Sequence, residues 1–203
     1  AAVGDHQDPG TVLVTLPGAL APPGVVEVPT GSRLNDLLPA SGRPVLRMVR
    51  AVLVGGYHGS WIPVGALTAR LSRAGLAALG ATPGAGVVHV LGRHECGLER
   101  TAAIASYLAG QSARQCGPCL NGLPRLAQLL DQLAFGAVDD ALVDELQRTM
   151  RLVDGRSACR HPDGTARMVR TALTVFAGDV AQHRRGRCEA LPANADHHVR
   201  AIS

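Results

Sequence analysis

The feature that most limits what this chain can become is a change of period in its apolar pattern near residue 92. Before that point the apolar residues come in short runs broken by Gly and Pro. "TVLVTL" (11–16) is a β-rich run ending at Pro17-Gly18. "GVVEVP" (24–29) alternates as a half-buried strand does, and the two runs predict a hairpin. "SRLNDLLPA" (32–40) predicts a short helix with Ser32 as its N-cap. "VRAVLVGG" (49–56) reads as a buried strand entering a glycine turn. "YHGSWIP" follows as a surface turn anchored by Trp61, then a helix over 64–79 and a last strand, "GVVHVLG" (86–92). Beyond this point the repeat becomes helical. Leu98, Ala102, Ala105 and Leu108 share one face, as do Leu123, Leu126, Leu130 and Leu133. Leu142, Leu146 and Met150 continue the pattern, followed by Val169, Leu173, Phe176 and Val180. Four amphipathic segments with short connections are the pattern of a small antiparallel bundle. Asn121 is a candidate N-cap, and Asp139 and Asp163 stand at the starts of the third and fourth helices, where carboxylates suit the dipole.

The fold class expected is therefore α+β. The predicted organisation is a strand-rich domain over 1–92, a helical domain over 93–190 and a flexible tail over 191–203. At 203 residues the chain can bury real cores. With aromatics at 2% those cores must be built from Ala, Val and Leu. No run of about 18 apolar residues predicts a membrane span. The sequence opens on Ala1 without a signal-peptide pattern, so a cytoplasmic piece of a longer protein is expected. The formal charge is +4 and every Lys+Arg position is Arg. These arginines are scattered and not interleaved with aromatics, which argues against nucleic acid as partner.

Chemistry is carried by the cysteines. Cys116 and Cys119 form a Cys-x-x-Cys pair in "SARQCGPCLNG", and Cys159 follows in "GRSACRHPDG". The pair lies between the first and second helices and Cys159 between the third and fourth. An antiparallel bundle brings both loops to one end, so the helical reading unites three sulfurs. Thiolates at this spacing suit an iron–sulfur cluster. A structural zinc, a redox dithiol and three buried thiols used as small hydrophobes are the rival readings. Cys96, in "HEC", reads as a buried thiol at a helix start, and Cys188 should lie at the far end of the bundle. "HRRGR" (183–187) reads as a solvated helix end, and His58 as part of the surface turn.

These motifs resemble the C-terminal region of the flavoprotein F (51 kDa) subunit family of respiratory complex I, shared with NAD-reducing hydrogenases and NAD-dependent formate dehydrogenases. That family carries "ESCGKCTPCREG" and, some forty residues on, a cysteine in "CALGDAA". "QSARQCGPCLNG" and "CRHPDGTARMVRTAL" fall on these two motifs, with Asp163 on the family's aspartate, and "GRCEA" (186–190) on its "GRCP"-like end. "GTVLVTLPGALAPPGVVEVPTGSRLNDLL", "AVLVGGYHGSWIP" and "ALGATPGAGVVHVLGRHECGLER" resemble the family's β-grasp-like (ubiquitin-like) module. The resemblance implies a β-grasp-like domain ahead of a four-helix bundle. It implies one [4Fe-4S] or [3Fe-4S] cluster held by Cys116, Cys119 and Cys159. That cluster would relay electrons from a reduced flavin to a redox partner subunit or a ferredoxin, peripheral to a membrane complex and without membrane insertion. Two departures stand out. Nothing here corresponds to the family's FMN- and NADH-binding domain, so no residue is assigned to either cofactor, and this stretch would be one part of an NADH dehydrogenase-like oxidoreductase. And the family's first cluster cysteine is Ala113, which leaves His161 as a candidate fourth ligand. A cluster-free interaction module and a zinc-stabilised domain are the alternatives.

Overall fold

A computed structural model describes residues 3–17, 24–38 and 47–190. The chain divides into two compact units, Ala1–Arg93 and His94–Ser203.

In the first unit β1 (Thr11–Leu16) and β2 (Gly24–Pro29) pair antiparallel, with Thr11 opposite Pro29 and Leu16 opposite Gly24. The expected hairpin pairing is therefore present, and its connecting loop lies outside the described residues. The burial differs from expectation. Val14 and Leu16 of β1 turn into the core, whereas Val25 and Val26 of β2 are exposed. β3 (Val49–Val54) is the centre of a second sheet, between β4 (Ser60–Pro63) and β5 (Val88–Gly92), all antiparallel. Ala51 to Val54 are fully buried, which explains why that strand reads as a continuous apolar run. Gly86 ties β1 toward this sheet, its carbonyl accepting the Thr15 amide at 2.8 Å. Val14, Leu34, Val52, Ile62, Leu76 and Val88 lie in the shared core.

Three expectations for this unit are corrected. Helix α1 spans only Leu34–Leu37, and Ser32 is not its cap: its Oγ donates to the Pro29 carbonyl instead. The helix stops because Leu38 precedes Pro39 and takes extended backbone, φ −75° and ψ 120°, as steric conflict with a following proline ring demands. Residues 39–46 lie outside the described residues. The helix expected over 64–79 is instead a 3-10 turn, Val64–Ala66, and a short helix α2, Arg73–Ala77. Between them the chain is bridged to Arg33 through Arg70, and the Leu71 amide donates to the Ser32 carbonyl. Ser72 starts α2 by accepting the Gly75 amide at 3.1 Å. A Cβ on Gly75 would come within 2.6 Å of the Arg70 carbonyl, so this glycine permits a backbone approach that regular helix would not make. Lastly, "SWIP" is strand β4 and not a surface turn. Gly55 and Gly56, at φ +98° and +85°, supply the reversal, and Trp61 is buried.

The second unit is helical: α3 (Gly97–Gly110), α4 (Leu123–Phe135), α5 (Asp140–Val153), α6 (His161–Val175) and α7 (Ala177–His183). The stripes on α3, α4 and α5 named from the sequence are the buried faces. Asp139 caps α5 by accepting the Leu142 amide at 2.8 Å. Asn121 does not cap α4; it lies inside a π-helical turn, Pro118–Gly122, that runs straight into that helix. The fourth expected helix breaks in two at Phe176, which has φ −104° and ψ 26°. The reason is local packing: the Phe176 ring lies against Gly97, where a Cβ would stand 2.4 Å from it. The tail 191–203 lies outside the described residues. No described helix is long and apolar enough to cross a membrane.

Candidate functional site

The Cys-x-x-Cys segment is built by an unusual piece of backbone. After α3 ends, Arg114 adopts φ +54°, the one non-glycine among the described residues in the left-handed region. This conformation costs roughly 1–2 kcal/mol for an L-residue. It turns the Arg114 amide toward the Cys119 sulfur. Pro118 then opens the π-helical turn, in which Leu123 donates to the Pro118 carbonyl, and the Leu120 amide donates to the Cys116 carbonyl at 2.9 Å. Such single-turn π segments occur often at functional sites because they displace side chains from regular helical positions.

The turn sets Cys116 and Cys119 within hydrogen-bonding reach of each other. The amide of Ala158, from the loop between α5 and α6, faces the Cys116 sulfur. That amide, with the Cys119 amide and thiol, outweighs burial and lowers the Cys116 pKa. Burial pushes the Cys119 thiol up, and the neighbouring Cys116 and then Cys159 add to the shift. Cys119 is buried, Cys116 half-buried and Cys159 exposed. The loops carrying the three cysteines therefore converge, as their places between helices imply.

Asp163 fixes the Cys159 loop. Its carboxylate accepts the Gly155 amide at 2.9 Å and the Ser157 hydroxyl at 3.1 Å. Arg160 reaches the second oxygen at 3.3 Å. The Gly155 amide is the largest reason this carboxyl sits below its ordinary value. The Ser157 hydroxyl also approaches the Cys159 carbonyl, at 2.8 Å. His161 begins α6, and its Nε2 donates to the Leu108 carbonyl of α3 at 2.9 Å. Ala113, where the resemblance expects a sulfur, is exposed.

The donor chemistry suits a thiolate-held iron–sulfur group: three sulfurs and several inward-facing amides at one surface. It suits a single tetrahedral ion less well. Zinc–sulfur bonds of about 2.3 Å would hold the sulfurs roughly 3.8 Å apart. Among the described residues the one group of three such side chains with donor atoms all within 4.8 Å of one another lies elsewhere, at Cys96, His183 and Cys188.

That second group is what the sequence reading missed. Cys96 stands immediately before α3, His183 ends α7 and Cys188 follows it. His183 is buried at 7% exposure, which corrects the reading of 183–187 as wholly solvated; Arg184 to Arg187 are exposed. The Cys96 Sγ lies 3.5 Å from the His183 Nε2. The Cys96 thiol donates to the Cys188 sulfur, which raises the Cys96 pKa and lowers that of Cys188. Burial pulls the imidazole of His183 down, but the Cys188 sulfur, the Leu133 carbonyl and the Asp179 charge together carry it above its ordinary value. The His-x4-Cys spacing was the available signal, but nothing in the sequence tied it to Cys96, 87 positions upstream of the histidine.

Comparison with known proteins places these observations. Residues 94–183 match the family described as the NADH-ubiquinone oxidoreductase-F iron–sulfur binding region. The second F-type subunit of the NADH-quinone oxidoreductase of Rhizobium meliloti is 28% identical over 183 residues, 89% of this chain and 44% of that protein. The F-type subunit of the Streptomyces coelicolor enzyme is 28% identical over 197 residues, 96% of this chain and 44% of that protein. The HndC component of the NADP-reducing hydrogenase of Solidesulfovibrio fructosivorans is 23% identical over 89% of this chain and 37% of its own length. The chain thus spans under half the length of these relatives. A crystal structure of NAD+-reducing [NiFe]-hydrogenase in the H2-reduced state superposes with a TM-score of 0.76 at 22% identity. It covers 95% of this chain and 32% of that one, which establishes a shared mixed α and β fold. Over residues 94–183 this chain is similar to the iron–sulfur binding region of the NADH-ubiquinone oxidoreductase-F family.

Proposed function

We propose that this chain is an electron-transfer module in which Cys116, Cys119 and Cys159 hold one iron–sulfur cluster. On this reading the first unit is a β-grasp-like domain and the helical unit a four-helix bundle with the cluster at one end. The observation that carries the reading is the meeting of two loops: the Ala158 amide faces the Cys116 sulfur, and the charge of Cys159 acts on Cys119. An iron–sulfur cluster supplies one-electron redox chemistry when bound, here between a reduced flavin elsewhere in the enzyme and a partner subunit or ferredoxin. The protein's own part is positioning. The amides of Arg114, Cys119 and Ala158 face the sulfurs and stabilise negative charge there. The exposure of Ala113, Arg114, Gln115, Gly117, Leu120 and Cys159 leaves this edge open to a redox partner at the surface of a larger complex.

Three thiolates leave one position to fill. His161 would fill it through Nδ1, since its Nε2 holds the Leu108 carbonyl; otherwise the group is a three-iron cluster or is closed by a residue from elsewhere in the whole protein. The test is anaerobic purification with iron, sulfide and zinc determined per chain and the absorbance recorded near 400 nm. About three or four iron and sulfide per chain, lost on Cys119→Ser, supports the reading. Colourless, iron-free protein that still folds refutes it and leaves an interaction module. Zinc in place of iron, also lost on Cys119→Ser, refutes it in favour of a zinc-stabilised domain.

A further inference from the structure

The group formed by Cys96, His183 and Cys188 has no part in that electron relay. It draws together the beginning and the end of the helical unit, and Cys188 lies beyond the residues the family match covers. Three observations bear on it. First, its donor atoms are compact: all lie within 4.8 Å of one another, with 3.5 Å between the Cys96 Sγ and the His183 Nε2. Tetrahedral zinc, with bonds of about 2.3 Å to sulfur and 2.0 Å to nitrogen, sets sulfur and nitrogen roughly 3.5 Å apart. Second, the group is shielded. Cys96 and His183 are buried and Cys188 is half-buried. Third, the imidazole is oriented. His183 Nδ1 donates to the Leu133 carbonyl at 3.1 Å, leaving Nε2 as the atom turned toward the sulfurs. A backbone carbonyl holding the far nitrogen in this way is the usual support of a metal-ligating histidine.

We infer that Cys96, His183 and Cys188 form a second metal site, for one zinc ion, that clasps the segment after α7 onto the start of α3. Two thiolates and one imidazole are a soft donor set that suits zinc over magnesium or calcium. Water completes the tetrahedron. The site is distinct in kind from the cysteines at the other end of α3, whose sulfurs are not all within 4.8 Å of one another.

The experiment uses the full chain, purified anaerobically with and without added zinc, with zinc, iron and sulfide measured on the same samples after competition with a chelator. One zinc per chain is expected in the wild type and also in Cys119→Ser, where only iron is lost. Cys188→Ser should weaken zinc binding by at least about 100-fold, more than loss of a supporting hydrogen bond does, while iron is retained. Cobalt substituted for zinc should show thiolate charge-transfer and tetrahedral ligand-field bands that Cys188→Ser abolishes. Absence of zinc in the wild type, zinc held equally by Cys188→Ser, zinc lost from Cys119→Ser, or a Cys96–Cys188 disulfide in its place would each overturn the inference. Cys188 follows α7 and is half-buried, and circular dichroism verifies that its replacement leaves the fold intact. Absence of iron from the wild type, with one zinc per chain still bound and lost on Cys188→Ser, defeats the cluster reading and leaves this one standing.

Discussion

Replacing Asp163 should loosen the loop that delivers Cys159, and the size of the effect follows from what its carboxylate holds. The side chain is 19% exposed and accepts from the Gly155 amide, the Ser157 hydroxyl and Arg160. Hydrogen bonds to a charged group contribute about 1.5–3 kcal/mol each when well shielded. Here the acceptor is partly wet and its donors can turn to water, so the two loop bonds together are worth nearer about 1.5 kcal/mol. The exposed Arg160 pair adds little. A carboxylate in the first turn of α6 adds about 0.5 kcal/mol. Asp163→Ala should therefore cost about 2 kcal/mol, and Asp163→Asn, which keeps one oxygen for Gly155, about 1 kcal/mol. For a chain of this size a loss of about 2 kcal/mol lowers Tm by roughly 4–8 °C. The assay is thermal unfolding by circular dichroism at several pH values. Because the folded pKa is depressed, the stabilisation is fully present above the ordinary carboxyl value. It disappears as pH falls through the depressed one. The gap between wild type and Asp163→Asn should thus be constant from neutral pH down to about 5 and narrow only as pH falls below the ordinary carboxyl value of about 3.9. Equal stability at neutral pH, or a gap that persists in acid, would refute the argument.

Ala113→Cys should place a fourth thiol beside the site and convert a three-iron signal, seen by electron paramagnetic resonance, to a four-iron one; an unchanged spectrum would show that position 113 does not face the cluster. Arg114→Gly should raise stability by roughly 1 kcal/mol in denaturant melts by removing left-handed strain, while iron content stays the same; a loss of stability would mean the Arg114 side chain has a holding role. Gly97→Ala should cost about 2–3 kcal/mol, since the added methyl meets the Phe176 ring, and a near-neutral result would show that the ring yields freely.

Much of this protein is decided by local rules that the sequence displays. The stripes Leu98–Leu108 and Leu123–Leu133 become buried helix faces because a 3.6-residue period admits no other arrangement. Asp139 caps α5 through its own short side chain. The order of helices and loops brings Cys116, Cys119 and Cys159 to one end, for once alternate connections share an end the sulfurs must follow. The apolar run at 51–54 needed two covered faces and received them. What the sequence could not determine depends on groups distant along the chain. The helix expected over 64–79 gave way because Arg70 and Leu71 bond to the segment at 31–33, a tertiary demand stronger than weak propensity interrupted by glycine. β2 alternates like a half-buried strand but is largely exposed, because period alone does not say whether anything covers a face. The break at Phe176 reflects a ring seated on Gly97, and the left-handed turn at Arg114 is set by the sulfur its amide serves. Above all, the grouping of Cys96, His183 and Cys188 arises only when α7 returns to the start of α3. Sequence separation of 87 residues carries no record of a 3.5 Å contact, and only close packing of the helices creates it.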